Sequence, residues 1–103
     1  MELPGRRMFG PLSVDVARRE VLIADEQISL TRTQFDILAT LVQREGAVTT
    51  RQELLNAVWG PYWSGSANIL DVHIGLLRRK LGDDPSRPIL LLNIRGIGYR
   101  LAD

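Results

Sequence analysis

Arg78, Arg79 and Lys80 stand side by side at the end of the segment NILDVHIGLLRRKLG, and Arg95 stands between Ile94 and Gly96 in LLNIRGIGYR. Grouped guanidinium and ammonium groups contact phosphate, and Arg also enters narrow minor grooves, where negative potential is enhanced. Three further residues of this stretch carry recognition chemistry. Asn68 can pair with adenine or a phosphate, and Val72 and Leu76 can pack on thymine methyls. A helix with cations at one end, followed by an arginine-tipped hairpin, fits a DNA reader. The helix suits a major groove, and the hairpin suits the adjacent backbone or minor groove.

Plain structural roles compete with these readings. Cations at a helix C-terminus are favoured by roughly 0.3–1 kcal/mol against the helix dipole, with no ligand involved. An arginine at a turn tip is often simply solvated, and Gly96 and Gly98 read as residues that permit positive φ there. His73 is the only histidine and the chain has no cysteine, so a metal-ligand set cannot be assembled around it. It reads as a packed or phosphate-contacting side chain. Asp83 and Asp84 are neighbouring carboxylates, but they fall in a loop. Gly96-Ile97-Gly98 is too short for a phosphate-binding glycine loop. The expectation is therefore no catalytic residue, no metal, no cofactor and no enzyme.

The elements that must hold these residues follow from periodicity. In the helix beginning near Ser66 or Ala67 and ending at Gly82, Leu70, Ile74, Leu77 and Leu81 form one core stripe. At about 100° per residue the opposite face holds Asn68, Val72, Gly75, Leu76 and Arg79, with Ile69 and Lys80 beside it. Two helices precede it. Thr31-Arg32-Thr33-Gln34 and Thr50-Arg51-Gln52-Glu53 are capping boxes, Leu30 and Phe35 are placed as a hydrophobic staple, and Gly46 and Gly60 mark the ends. The first thirty residues read as short strands: Met8-Phe9, Leu12 to Val16, Glu20 to Ile23 and Gln27 to Leu30. Alternation of Leu12, Val14 and Val16 with Ser13 and Asp15 predicts one face on a core and one in water. After the polar loop Asp83 to Pro88, Ile89 to Asn93 reads as a strand, Arg95 to Gly98 as a turn and Tyr99 to Leu101 as the return. The fold class is α+β: a winged helix-turn-helix with an N-terminal four-stranded antiparallel sheet, a three-helix core and a C-terminal β-hairpin wing.

At 103 residues the chain suits one domain with one modest core. The net charge of +1 says little about nucleic acid, but its distribution does. Residues 1–50 carry six Arg against seven Asp and Glu, whereas residues 76–100 carry five Arg and one Lys against Asp83 and Asp84. Positive charge is thus gathered in the helix end and hairpin. No apolar run approaches the roughly 20 residues of a membrane span, and no secretory signal is legible, so a cytoplasmic location is expected.

LTRTQFDILATLVQREGAVTTRQELLNAVWG resembles the first two helices of the OmpR/PhoB family of response-regulator effector domains. DVHIGLLRRKL resembles that family's recognition helix and IRGIGYRL its wing. The resemblance implies a bacterial two-component transcription regulator that binds direct-repeat promoter sites, often as a head-to-tail pair, under control of a phosphorylated receiver. No receiver is read in this chain. Residues 1–7 are expected to be a linker remnant and 8–103 the winged-helix effector domain. The loop from Gly60 to Gly65 matches a region that touches RNA polymerase in some members, which makes Tyr62 and Trp63 candidates by position. Two departures affect base reading: Asn68 replaces a common Arg, and Gly75 and Leu76 replace basic or polar residues.

The expected DNA contacts are Thr50, Arg51, Asn68, Ile69, Val72, His73, Leu76, Arg78, Arg79, Lys80, Asn93, Arg95, Tyr99 and Arg100. The expected partners are double-stranded promoter DNA, RNA polymerase and a second copy on DNA, with no membrane. A winged-helix module for protein partners, using Tyr62, Trp63, Val72 and Leu76, remains the alternative at this point.

Overall fold

The computed structural model describes residues 5–84 and 86–102. It begins with an antiparallel meander of β1 (Arg6–Phe9), β2 (Leu12–Asp15), β3 (Glu20–Ile23) and β4 (Glu26–Ile28), paired in that order. Between β3 and β4, Ala24 and Asp25 both take positive φ (50° and 68°). Two such residues in succession make a primed turn, whose twist matches that of the strands.

Three helices follow, α1 (Arg32–Gln43), α2 (Arg51–Trp59) and α3 (Asn68–Leu81). Both capping boxes form. Thr31 Oγ1 accepts from Gln34 N at 3.2 Å, and Thr50 Oγ1 accepts from Glu53 N at 3.1 Å. The Gln34 and Glu53 side chains return the favour to the cap amides, each at 3.0 Å. Each such cap contributes about 1 kcal/mol. Gly82 ends α3 in the left-handed region (φ 74°). The Asp83 and Gly82 amides bond the Arg78 and Arg79 carbonyls at 2.8 and 3.2 Å, a Schellman closure.

The last sheet holds β5 (Thr49–Thr50), β7 (Gly98–Leu101) and β6 (Leu91–Ile94), in that spatial order. One core joins all layers: Leu12, Val14 and Val21 from the meander, Leu38 and Leu41 from α1, Leu54 from α2, the α3 stripe of Leu70, Ile74, Leu77 and Leu81, and Leu91 and Leu101 from the wing. The α+β winged architecture is therefore as expected, with several local corrections.

Ser13 and Asp15 are buried rather than facing water. The Arg6 guanidinium lies across that face, donating to Ser13 Oγ at 2.7 Å and to Glu20 at 2.5 Å, while Asp15 accepts from the Arg18 amide. Arg6 and Arg7, expected within a linker over 1–7, are strand residues paired with Asp15 and Val14. Residues 1–4 lie outside the described residues. At the end of α1, Arg44 is the cap, and Glu45 (φ 54°) takes the first left-handed position ahead of Gly46 (φ 91°). Strand β5 was not anticipated, because two residues carry no periodicity and Thr50 reads as a cap. Strand β6 begins at Leu91 rather than Ile89, because the Asp83 carboxylate holds the amides of Ile89, Leu90 and Leu91.

Candidate nucleic-acid interface

Helix α3 presents its outer face as periodicity requires, because the opposite stripe is fully committed to the core. Its entry is fixed by Ser66, whose Oγ accepts from the Asn68 amide at 3.1 Å. Asn68, Arg79 and Lys80 are exposed, Val72 is 59% exposed and Leu76 is 39% exposed. Ile69 is half-buried and packs on the core. His73 is half-buried too, its ring 5.5 Å from that of Trp59, and its Nδ1 finds no partner among the described residues.

The basic residues expected at the interface divide into two groups. Arg79, Lys80 and Arg95 are exposed and have no ion-pair partner among the described residues. Arg95 sits in the turn between β6 and β7, where Gly96 takes φ 77°. The others are engaged within the fold. Arg78 donates from Nε and Nη2 to the Leu91 carbonyl at 3.1 and 2.8 Å, with its guanidinium 5.8 Å from the Tyr99 ring centre. Arg100 turns back toward the Gly46 and Leu101 carbonyls at 3.5 and 3.4 Å. Arg51 grips Asp71 through both Nη atoms, at 2.6 and 3.0 Å.

Tyr99 was expected at the DNA surface, but it is only 5% exposed. Its hydroxyl donates to Asp71 Oδ1 at 2.7 Å. Burial and the neighbouring Asp71 carboxylate push its pKa up to about 12. The Arg51 hydrogen bonds hold Asp71 below the ordinary carboxylate value, against the cost of its partial burial, and the Tyr99 hydroxyl adds to the effect. The same pairing raises Arg51. This three-residue cluster joins the start of α2, the first turns of α3 and the returning strand of the wing. Sequence reasoning missed Asp71 because its partners lie 20 and 28 residues away.

Two more positions were read differently in the sequence. Gly98 does not have positive φ. It is needed because a Cβ there would run into the Thr49 carbonyl of β5. Asp83 is buried, and its carboxylate accepts the amides that lead into β6 at 2.8–3.2 Å. Thr50 is occupied as the α2 cap, and Asn93 is exposed on β6.

In the loop between α2 and α3, Tyr62 is 95% exposed. Trp63 is pinned by contrast. Its ring lies 6.2 Å from that of Trp59, its Nε1 donates to the Ser66 carbonyl at 3.4 Å, and Gly65 leaves the room it occupies. No group of metal-ligating side chains and no helix long and apolar enough to cross a membrane occurs among the described residues.

The model of the family described as "Transcriptional regulatory protein, C terminal" matches residues 25–101. Over 92 residues the chain is 41% identical to the sensory transduction protein RegX3 of Mycolicibacterium smegmatis, covering 89% of this chain and 40% of that protein. It is 40% identical to the KDP operon transcriptional regulatory protein KdpE of Escherichia coli, covering 89% and 41%. The chain thus spans about two fifths of the length of these relatives. Among solved structures, the RstA DNA-binding domain of Klebsiella pneumoniae, in complex with the RstA box, superposes with TM-score 0.84 at 32% identity, covering 94% of this chain and 96% of that one. The response regulator DrrB of Thermotoga maritima, an OmpR/PhoB homologue, gives 0.85 at 32% identity, covering 96% and 45%. With a family model over most of its length and these relatives beside it, the chain belongs to the transcriptional regulatory protein C-terminal family, as an effector domain of the OmpR/PhoB type.

Proposed function

We propose that this domain binds double-stranded promoter DNA sequence-specifically, as the output end of a cytoplasmic bacterial response regulator. The observation that carries the reading is the outer side of α3. It is exposed, it carries Arg79 and Lys80 with no acidic partner, and its one carboxylate, Asp71, is neutralised by Arg51. Such a surface suits a groove walled by phosphates. The RstA domain, bound to its box, and the AdeR domain, bound to an intercistronic region, support the same assignment.

In this reading α3 enters the major groove, where Asn68, Val72 and Leu76 face the bases and Arg79 and Lys80 face the backbone. Arg95 reaches the minor groove or its phosphates, and Asn93 and Thr50 lie at the margins. Arg51, Arg78 and Tyr99 position these groups from within the fold. Tyr62 is free to meet RNA polymerase, and a second copy binds head to tail on a direct repeat.

The test is binding of promoter duplexes across a range of salt concentrations. Saturable binding with a steep negative dependence of log K on log salt is expected. No saturable binding at low salt, together with tight capture of a protein partner, would instead favour a protein-interaction module.

A further inference from the structure

We propose that Val72, Gly75 and Leu76 form a seat for thymine C5-methyl groups in the major groove, with the α3 backbone at Gly75 lying directly against the base edges. The inference rests on the DNA-binding reading above and deepens it, by naming the base feature that the helix reads.

Gly75 has no reason within the fold. It sits in the middle of α3, its φ is not positive, and a Cβ added there would meet nothing within 4 Å. Glycine weakens a helix interior relative to alanine. Neither packing nor backbone conformation calls for it, and the missing Cβ leaves the helix backbone there open to close approach by a surface outside the domain.

The flanking residues say what that surface is. Val72 and Leu76 lie one turn apart on the same face as Gly75, and they remain 59% and 39% exposed in the free domain. Neither side chain can donate or accept a hydrogen bond. Among base edges in the major groove, the thymine methyl is the apolar feature that they can match. Asn68 and Arg79 border the patch, and Lys80 lies beyond it. Asp71 is the only acid of α3, and Arg51 and Tyr99 hold it. An apolar centre with a cationic and amide border complements a methyl-bearing groove floor between phosphate walls, rather than an acidic or basic protein surface.

The experiment starts from a random-sequence duplex pool, enriched by this domain at low salt. The selected duplex is then compared with copies in which each thymine is replaced by deoxyuridine, which lacks only the methyl. Adjacent thymines are expected in the selected half-site, and loss of each contacted methyl should weaken binding roughly fourfold. Gly75→Ala should raise the thermal midpoint of the free domain by about 2–8 °C. It should also weaken binding to the selected duplex by about tenfold, the scale of a steric clash at a packed surface. A selected duplex whose affinity ignores every thymine methyl overturns the seat and leaves DNA binding intact. Unchanged affinity of Gly75→Ala overturns the close approach in the same way. Failure to enrich any duplex overturns the DNA-binding reading, and the seat with it.

Discussion

The Tyr99 hydroxyl donates a 2.7 Å hydrogen bond to Asp71 Oδ1, so the wing and the recognition helix share one carboxylate with Arg51 of α2. A hydrogen bond to a charged group holds more strongly than one between neutral partners. The angle between helix and wing is thereby set inside the protein before any DNA arrives.

Tyr99→Phe removes the donor and leaves the ring in place. It should cost about 1–2 kcal/mol of unfolding free energy. Stability should also acquire a different pH profile. The folded pKa of Tyr99 is raised to about 12, so its contribution is full below the ordinary value of 10.0 and is lost as pH climbs through the folded value. Asp71 behaves oppositely. Its folded pKa lies below 3.8, so its contribution is present above that pH and is lost as pH falls through the folded value. Urea midpoints measured against pH, in a Tyr62→Phe background so that a single phenol reports, should lose the alkaline decline in Tyr99→Phe. An unchanged alkaline limb would refute the role given to this hydroxyl.

Neighbouring arginines should behave differently. Arg78→Ala deletes both bonds to the Leu91 carbonyl and should cost about 1.5–3 kcal/mol of stability, with little change in the salt dependence of DNA binding. Arg79→Ala and Arg95→Ala should leave the thermal midpoint nearly unmoved. Each should flatten the slope of log K against log salt by about 0.9 for a lost phosphate contact. Calorimetry and salt titration on the three variants separate the two behaviours.

Asp83→Ala should be among the most damaging single changes. It strips the acceptor from the amides of Ile89, Leu90 and Leu91, the last two buried, at about 1–3 kcal/mol for each group left without a partner. Denaturant unfolding should show the loss. A cost under 1 kcal/mol would mean that water replaces the carboxylate there.

Gly98→Ala puts a methyl against the Thr49 carbonyl and should break the pairing of β5 with β7. Faster amide exchange at Arg51, whose N–H bonds the Ile97 carbonyl at 3.2 Å, would report the loss. Gly96→Ala meets no atom within 4 Å and should be strained only through its φ of 77°.

Local rules carried much of the fold. Thr31 with Gln34, and Thr50 with Glu53, announced two helices whose caps form in full, and the Leu70, Ile74, Leu77, Leu81 stripe placed the third. Those signals act within about four residues, where backbone geometry leaves little choice. The exposed side of α3 was legible for the same reason, since a committed core stripe leaves one face over. Sequence could not say which arginines are free. Arg78 and Arg79 are adjacent and chemically identical, yet one is tied to Leu91 and the other points to solvent. Nor could it show that Asp71 meets both Arg51 and Tyr99, that Asp83 supports β6, or that Gly98 yields space to Thr49. Each of these pairs elements that are brought together only by burial of the common core. The sequence by itself determined the three helices, the caps of the first two and most of the strands, and the tertiary structure decided which polar groups the fold consumes and which it leaves exposed.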